Sequence, residues 1–373
     1  MNHHIRSSNA RYPVLIVGGG LAGLSAARSL RSAGVDFQLR EGRPRLGGRI
    51  LTADASGQAA TSGFDLGPSW FWPGMQPAMA ALVEELGLAT FPQNSDGDIV
   101  FQRMSREAPQ RCRGMRQEPQ SMRLVGGTGA LVQAIAATLP AECIRLDSRL
   151  THLTLTKDGI DALFAAPDGS SETVRASKVI LAVPPRLLAA NVSFSPTLDA
   201  STSARWRTTP TWMAPHAKFF ALYEHSFWRA AGLSGTAQSM VGPLVEIHDA
   251  TTASGEAALF GFVGIPPVQR KALGRETIIS ASVSQLTTLF GSDAAAPRAT
   301  LFKDWAADTL TATDEDWTDS AHPTAGGSVW GDGRWRGRMS LAGSEASSSE
   351  PGYLAGAVSA AQRAVQEVLQ GLG

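Results

Sequence analysis

Three glycines stand at a spacing that lets a backbone grip a pyrophosphate: Gly18, Gly20 and Gly23, within Gly18-Gly19-Gly20-Leu21-Ala22-Gly23. Gly18 permits a tight turn, Gly20 lets phosphate oxygens approach the main chain, and Gly23 lets a helix pack closely on a strand. Ala22 falls in the first turn of that helix, where N–H groups without intrahelical partners and the positive end of the dipole favour an anion. Glu41 follows at about the 20-residue interval at which a carboxylate meets ribose hydroxyls. The chemistry implied is dinucleotide binding. The spacing alone does not separate a nicotinamide from a flavin dinucleotide.

Lys218 is the sharpest single candidate for chemistry. It lies between apolar residues in HAKFFALYEHSFW, on a predicted strand. A lysine so placed either puts its charge to use or snorkels from a strand end to solvent. His216, two residues earlier, would face the same side of the strand. The seven histidines show no metal-ligand spacing, so no metal is expected. Neither a GxSxG elbow nor a phosphate-loop GK[ST] occurs. Residues 103–123 hold six arginines against two glutamates. Such a run is either a solvated loop or an anion-recruiting rim built on Arg111, Arg113 and Arg116. Seven of the nine tryptophans follow residue 200, which fits an aromatic cavity and ordinary core alike.

These residues must be positioned by elements the sequence also announces. Residues 12–17 (YPVLIV) read as a buried strand running into the glycine turn. Residues 21–33 show helical spacing, with Leu24, Ala27 and Leu30 on one face, and residues 36–40 form a second strand ending at Glu41. Residues 145–155 and 160–165 read as further strands, 179–185 as a buried strand ending in Pro-Pro, and 130–139 and 356–369 as helices. Strands at 217–222, 244–248 and 257–263 and a helix at 276–289 form a separate group. Residues 79–88 predict one helix burying Leu82, Val83 and Leu86. The length of 373 residues suggests two or three units, and 43% hydrophobic against 18% charged residues is enough for a large core. Equal numbers of basic and acidic residues argue against a nucleic-acid partner. Cys112 and Cys143 are the only cysteines, which excludes a disulfide scaffold. No apolar run approaches the ~18 residues of a membrane span. The opening MNHHIRSSNARYP has no apolar core, so a cytoplasmic protein without a secretory signal is expected.

The next segment narrows the cofactor. Glu41-Gly42-Arg43-Pro44-Arg45-Leu46-Gly47-Gly48-Arg49 resembles the ExRxxxGGR stretch of the flavin-containing amine oxidases, the family of monoamine and polyamine oxidases. Asp65-Leu66-Gly67-Pro68-Ser69-Trp70 is similar to the family's DLGG segment. Residues 124–129 (LVGGTG), 179–185 (VILAVPP), 341–345 (LAGSE, similar to AGTE) and 352–357 (GYLAGA, similar to GYxxGA) match in order. The resemblance implies an α/β chain: a Rossmann-like FAD-binding domain with an inserted α+β substrate-binding domain. The expected boundaries are 11–75, 122–200 and 300–373 for the FAD domain, and 76–121 and 201–299 for the substrate domain. Residues 1–10 would be a flexible tail. The 46-residue stretch 76–121 would form a reduced cap of two short helices and a loop.

The resemblance also assigns residues. Glu41 would hold the adenosine ribose with Gly42 and Arg43 nearby, and Gly48-Arg49 would approach the flavin. Gly67, Pro68, Ser69 and Trp70 would pass near the isoalloxazine ring, and Leu150 would contact the adenine through its backbone. Val183, Gly343, Ser344, Glu345, Gly352, Tyr353 and Leu354 complete the expected FAD contacts. The terminal helix would point its N-terminus at the flavin pyrimidine end. Lys218 matches the family lysine that holds a water at flavin N5 and favours electron transfer to oxygen. Tyr353 would form one wall of an aromatic cage, and Trp305 resembles the tryptophan that precedes the second wall. Here the sequence departs from the pattern, because 308–316 (DTLTATDED) contains neither an aromatic nor a cysteine. FAD is therefore expected without a covalent bond, and the cage incomplete or closed by a residue such as Trp70 or Trp317. The implied activity is oxidation of an amine to an imine, with O2 reduced to H2O2, in a monomer or homodimer. A desaturase or dehydrogenase of the same fold with poor oxygen reactivity, and a flavin-binding protein without turnover, are the competing readings.

Overall fold

The structure is a computed structural model that describes residues 5–114, 118–319, 321–325, 331 and 333–372, with side chains from Tyr12 onward. The chain divides into two compact units, Met1–Ile50, Val132–Met213 and Thr309–Gly373 in one, Leu51–Leu131 and Ala214–Asp308 in the other.

The first unit is built on the strand Ile5–Val17, which pairs in parallel with Phe37–Arg40 on one side and Ser171–Leu181 on the other. Ile144–Arg145 and Met339–Leu341 extend the parallel part. Such a sheet is covered on both faces and so reads as a continuous apolar run. Val14, Leu15 and Ile16 are accordingly wholly buried. The far half of Ser171–Leu181 pairs antiparallel with Ile160–Ala165, which pairs with Arg149–Leu155. The helices Leu21–Ser32 and Leu354–Gln370 pack together. Arg363 ties the second of them to the Leu341 carbonyl at 2.6 Å.

Two expectations change here. The first strand begins at Ile5 and pairs with Ser171, where a flexible tail was expected through residue 10; residues 1–4 lie outside those described. The predicted strand 145–155 is two strands. Between them Asp147 adopts a positive φ of 51°, and the N–H groups of Asp147 and Ser148 donate to the carbonyls of Arg43 and Glu41. The break serves the segment that carries the acidic residue.

The second unit holds a seven-stranded sheet in the order Ala299–Asp304, Ala217–Tyr223, Ala257–Val263, Leu244–Asp249, Leu233–Ser239, Asp98–Gln102, Gln110–Cys112. Alternation along Ala217–Tyr223 sorts its side chains. Phe219, Ala221 and Tyr223 join Ile278, Leu286 and Leu289 of the helix Arg275–Phe290. Phe220 and Leu222 pack on the other face with Phe64 and Leu66. Lys218 belongs to that second face.

The stretch 76–121 does not form a cap of two helices. It supplies one helix, Pro77–Glu85, burying Met79, Leu82 and Val83, and then two strands of the sheet. The compact units also part at other positions than the expected domain boundaries, since 51–75 and 122–131 fall in the second unit. No helix among the described residues is long and apolar enough to cross a membrane.

Candidate active site

The glycine turn of the first unit shows three different uses of a missing side chain. Gly18 has a φ of +102°, and a Cβ there would lie 2.7 Å from the Ala182 carbonyl oxygen and 3.0 Å from Val183. A Cβ on Gly23 would lie 1.8 Å from the Gly18 oxygen, so the helix Leu21–Ser32 can sit on the turn only with glycine there. Gly20 differs. A Cβ on it would meet no atom beyond its chain neighbours nearer than 3.9 Å. Packing within the protein does not account for this glycine, whereas a phosphate lying on the helix N-terminus does. Ala22 is buried in the first helical turn.

Glu41 is buried and aimed at the turn: its Oε2 accepts from the Gly19 N–H at 2.6 Å and its Oε1 from the Arg43 N–H at 2.8 Å. Arg43 reaches Thr311 Oγ1 at 2.8 Å. A Cβ on Gly42 would lie 3.5 Å from Leu310, and Leu150 is buried in the strand Arg149–Leu155. The second glycine turn is braced against the first, the Gly47 N–H donating to the Gly19 carbonyl at 2.8 Å. Gly48 has a φ of +58°, and a Cβ there would lie 3.2 Å from Gly20 Cα. Arg45, which sequence reasoning passed over, donates to the carbonyls of Leu46, Gly48 and Ile50 and fixes this turn. Turn, acid and open glycine together fit a dinucleotide.

Arg49 joins three segments of the same unit. It donates to the Trp212 carbonyl at 3.1 Å and to Ser344 Oγ at 3.1 Å, and it pairs with the buried Glu345 at 2.7 Å. Gly343 lies against Val183, a Cβ there being 3.2 Å from the Val183 oxygen. Gly352, with a φ of +85°, donates to the Ser344 carbonyl. Tyr353 and Leu354 begin the terminal helix.

The aromatic neighbour of Tyr353 is a residue the sequence reading did not name. Trp212 lies 4.6 Å from it, centroid to centroid, and His322 lies 5.3 Å from it. Of the two candidates named from sequence, Trp70 packs in the second unit with His248, Phe260 and Phe262 and donates to Gln93. Trp317 closes the short turn Asp314–Trp317. One buried ion pair anchors both neighbours of Tyr353. Arg186 meets Asp316 at 2.6 Å and Asp319 at 2.8 Å, and Asp316 also accepts from the Thr211 N–H. The segments carrying Trp212 and His322 thus share one node. The available signal was Trp212 itself, in TPTWM, outside the stretch where a second aromatic was sought.

In the second unit Lys218 is buried, 4% exposed, and does not snorkel to solvent. Its Nζ donates to the Gly67 carbonyl at 2.6 Å, Ser69 Oγ at 3.0 Å and the Asp65 carbonyl at 3.3 Å. It also lies over the rings of Phe260 and Phe262. Burial pushes this ammonium down to about 7, with Asp65 opposing the shift and Arg123 adding to it. The turn that holds it is braced from several directions. Trp305 Nε1 donates to the Leu66 carbonyl at 2.9 Å, and Thr128 Oγ1 donates to the Pro68 carbonyl at 3.0 Å. Trp305 is therefore a brace of the lysine's turn. His216 lies just before the strand, its carbonyl accepting from the Trp305 N–H; burial and then Arg270 push its imidazole down.

The arginine run is partly consumed by structure. Arg111 pairs with Asp98 at 2.6 Å and donates to the carbonyls of Ala231 and Gly232, which removes it from a free anion-recruiting rim. Arg123 is buried and donates to the carbonyls of Ala250 and Thr251. Arg113 is exposed, and Arg116 lies outside the described residues. Among the described residues no group of three His, Cys, Asp or Glu side chains could hold a metal ion.

A strand–glycine turn–helix with its acid in one unit, and a buried lysine in the other, define a two-unit dinucleotide-binding oxidoreductase. The chain belongs to the flavin-containing amine oxidoreductase family, whose profile matches residues 21–120 and 103–369. A Mycobacterium tuberculosis protein described as a flavin-containing monoamine oxidase, AofH, is 27% identical over 95% of this chain and 96% of its own length. The putrescine oxidase of Kocuria rosea is 24% identical over 71% of this chain and 77% of its own. The solved structure of a putrescine oxidase bound to putrescine superposes with a TM-score of 0.80 at 21% identity, covering 98% and 100% of the two chains. Cyclohexylamine oxidase from Brevibacterium oxydans gives 0.77 at 19% identity, covering 96% and 99%. At these identities the solved structures share the fold.

Proposed function

We propose that this protein is an FAD-dependent amine oxidase that converts the carbon bearing an amine nitrogen to an imine and delivers the electrons to dioxygen. When bound, FAD supplies the acceptor for a hydride from that carbon and passes two electrons on to O2, which leaves as H2O2. The chain's own residues bind, orient and charge the site. Gly18, Gly20 and the N-terminus of Leu21–Ser32 receive the pyrophosphate, and Glu41 with Arg43 holds the ribose. FAD is held without a covalent bond, since no cysteine follows Trp305 and the chain's two cysteines lie elsewhere. Tyr353, with Trp212 at its side, presents an aromatic surface to the amine and aligns its nitrogen. The nitrogen must carry a free lone pair, so a substrate amine loses its proton before reaction.

Lys218 carries the reading. An ammonium removed from water, with its donors engaged by Gly67, Ser69 and Asp65, is a costly feature unless its charge is used. Its use is to stabilise the anionic products of oxygen reduction. The test is a purified holoenzyme mixed anaerobically with a panel of primary, secondary and diamines, then with oxygen. Rapid bleaching of the flavin by one amine class, followed by peroxide on aeration, is the expected result. Bleaching without oxygen recovery would turn the protein into a dehydrogenase, and no bleaching by any amine would overturn the reading. Acid precipitation should leave all the flavin in the supernatant.

A further inference from the structure

Three rings of the first unit meet in one cluster. Between centroids, Trp212 lies 4.6 Å from Tyr353 and 4.4 Å from His322, and His322 lies 5.3 Å from Tyr353. The third ring differs from the other two, because an imidazole offers a hydrogen-bond acceptor as well as a face. Its neighbour fixes which nitrogen accepts. His322 Nδ1 lies 2.8 Å from the Pro323 carbonyl oxygen, which can only accept, so Nδ1 carries the hydrogen. In the neutral ring the lone pair then belongs to Nε2, which has no protein partner among the described residues. His322 is exposed, so a ligand can reach the ring. The chain on either side holds it in place. Pro323 is buried, and its Cγ would lie 3.4 Å from a Cβ on Gly352. The Ala321 N–H donates to Asp319 Oδ1 at 3.0 Å, and Asp319 Oδ2 accepts from Arg186 at 2.8 Å.

We propose that His322 selects the amine, its Nε2 accepting a hydrogen bond from an N–H of a substrate nitrogen that lies on the Trp212–Tyr353 surface. This deepens the amine-oxidase reading and rests on it for the place of the nitrogen. Ring faces attract a cationic nitrogen whether or not it bears hydrogen. An acceptor discriminates, because a partner without an N–H leaves it unanswered. In the neutral form that reacts, a primary or secondary amine keeps an N–H for Nε2, and a tertiary amine has none. Primary and secondary amines are therefore the substrate class the site takes. The carboxylates anchored to the same segments are already engaged. Asp316 accepts from Arg186, from the Thr211 N–H, and from the N–H and Oγ1 of Thr313. Asp319 is taken up by Arg186 and Ala321, and Glu345 is paired with Arg49 at 2.7 Å. The acceptor left beside the paired rings is the imidazole.

The test uses two cations of similar size that the enzyme cannot oxidise. The tert-butylammonium ion has N–H donors but no hydrogen on the carbon bearing nitrogen, and tetramethylammonium has neither an N–H nor a lone pair to free. Binding of each to the holoenzyme at mildly alkaline pH is measured by calorimetry. His322→Phe keeps a ring and removes the acceptor. It should weaken tert-butylammonium binding at least about tenfold, and leave tetramethylammonium within about twofold. Equal loss of both would make His322 a wall of the cluster only, and loss of neither would remove it from the site; either result overturns the proposal. A second measurement holds if that variant does not fold. With the seven histidines labelled with nitrogen-15 and His322→Asn giving the assignment, Nδ1 of His322 should carry the hydrogen in the unaltered protein. The Nε2 resonance should move on adding tert-butylammonium and stay still with tetramethylammonium. A hydrogen on Nε2, or an Nε2 that ignores both cations, overturns the proposal. Probe binding that needs His322, in a protein whose flavin no amine bleaches, keeps the site and overturns the oxidase reading. Bleaching by an amine, with probe binding unaltered in His322→Phe, does the reverse.

Discussion

The indole of Trp212 meets the ring of Tyr353 at 4.6 Å and an interplanar angle of 58°. The pair is tightly made: a Cβ on Gly352 would lie 2.9 Å from the Trp212 ring, so only glycine lets Tyr353 approach. Under the proposed function, Trp212 would complete the aromatic surface that 308–316 does not supply. Trp212→Leu should slow the anaerobic amine half-reaction by at least about fivefold, or ~1 kcal/mol of lost orientation. Oxygen recovery should be nearly unchanged. Stopped-flow measurement of the two half-reactions checks this, and equal slowing of both would assign Trp212 a general structural role.

Gly20 and Gly23 separate ligand binding from folding. Gly20→Ala should leave the melting temperature of the flavin-free protein nearly unaltered, because the added methyl meets no protein atom nearer than 3.9 Å. FAD affinity should fall at least about tenfold, or ~1.4 kcal/mol. Gly23→Ala puts a methyl 1.8 Å from the Gly18 oxygen and should reduce the yield of folded protein whether or not FAD is added. Flavin titration and thermal melts of the two variants read the difference.

Glu41→Ala should weaken FAD binding by about ten- to a hundredfold, the worth of one charge-assisted hydrogen bond of roughly 1.5–3 kcal/mol. Because the same carboxylate accepts from Gly19 and Arg43, the variant also loosens the pyrophosphate turn. Glu41→Gln, which keeps an acceptor, should bind more tightly than Glu41→Ala. Equal affinities of the two variants would contradict this account.

Lys218→Met should leave reduction by amine nearly unchanged and slow oxygen recovery at least about tenfold. The pH dependence has a definite sign. The ammonium falls from 10.5 to about 7 on folding, so between these values the unfolded chain binds more protons than the folded one. Through this group stability rises with pH across that window and is lowest at and below its lower end. The melting temperature of the unaltered protein should therefore gain on that of Lys218→Met as pH rises from 7 to 10. Oxygen recovery should fall over the same rise, as the ammonium loses its proton. A flat difference between the two melting curves would show that burial does not depress the Lys218 ammonium.

Arg111→Gln should alter the fold's edge and not the substrate. Its partners are Asp98 and the carbonyls of Ala231 and Gly232, so the expected result is a small drop in melting temperature and an unchanged KM. A raised KM for a carboxylate-bearing amine, reproduced by high salt, would restore the anion-recruiting reading.

The pyrophosphate turn, its strand and helix, and Glu41 were legible in the sequence because each depends on residues close together in the chain. A turn needs glycine at a fixed offset, a buried parallel strand needs an unbroken apolar run, and both leave their mark in order. For Lys218 the apolar residues around it marked the strand but left open whether the side chain snorkels to solvent, and the structure decides for burial. What the sequence could not fix was decided by contacts between distant segments. Asp65 reads as one residue of a DLGG-like stretch, and its buried place depends on Thr52 and Thr128 meeting it in space. Trp212 and Tyr353 are 141 residues apart, and an ion pair between Arg186 and Asp316 anchors the segment that carries Trp212. The strand Gln110–Cys112 was hidden in a polar, arginine-rich stretch because an edge strand satisfies its backbone through a neighbour and needs little apolar pattern of its own.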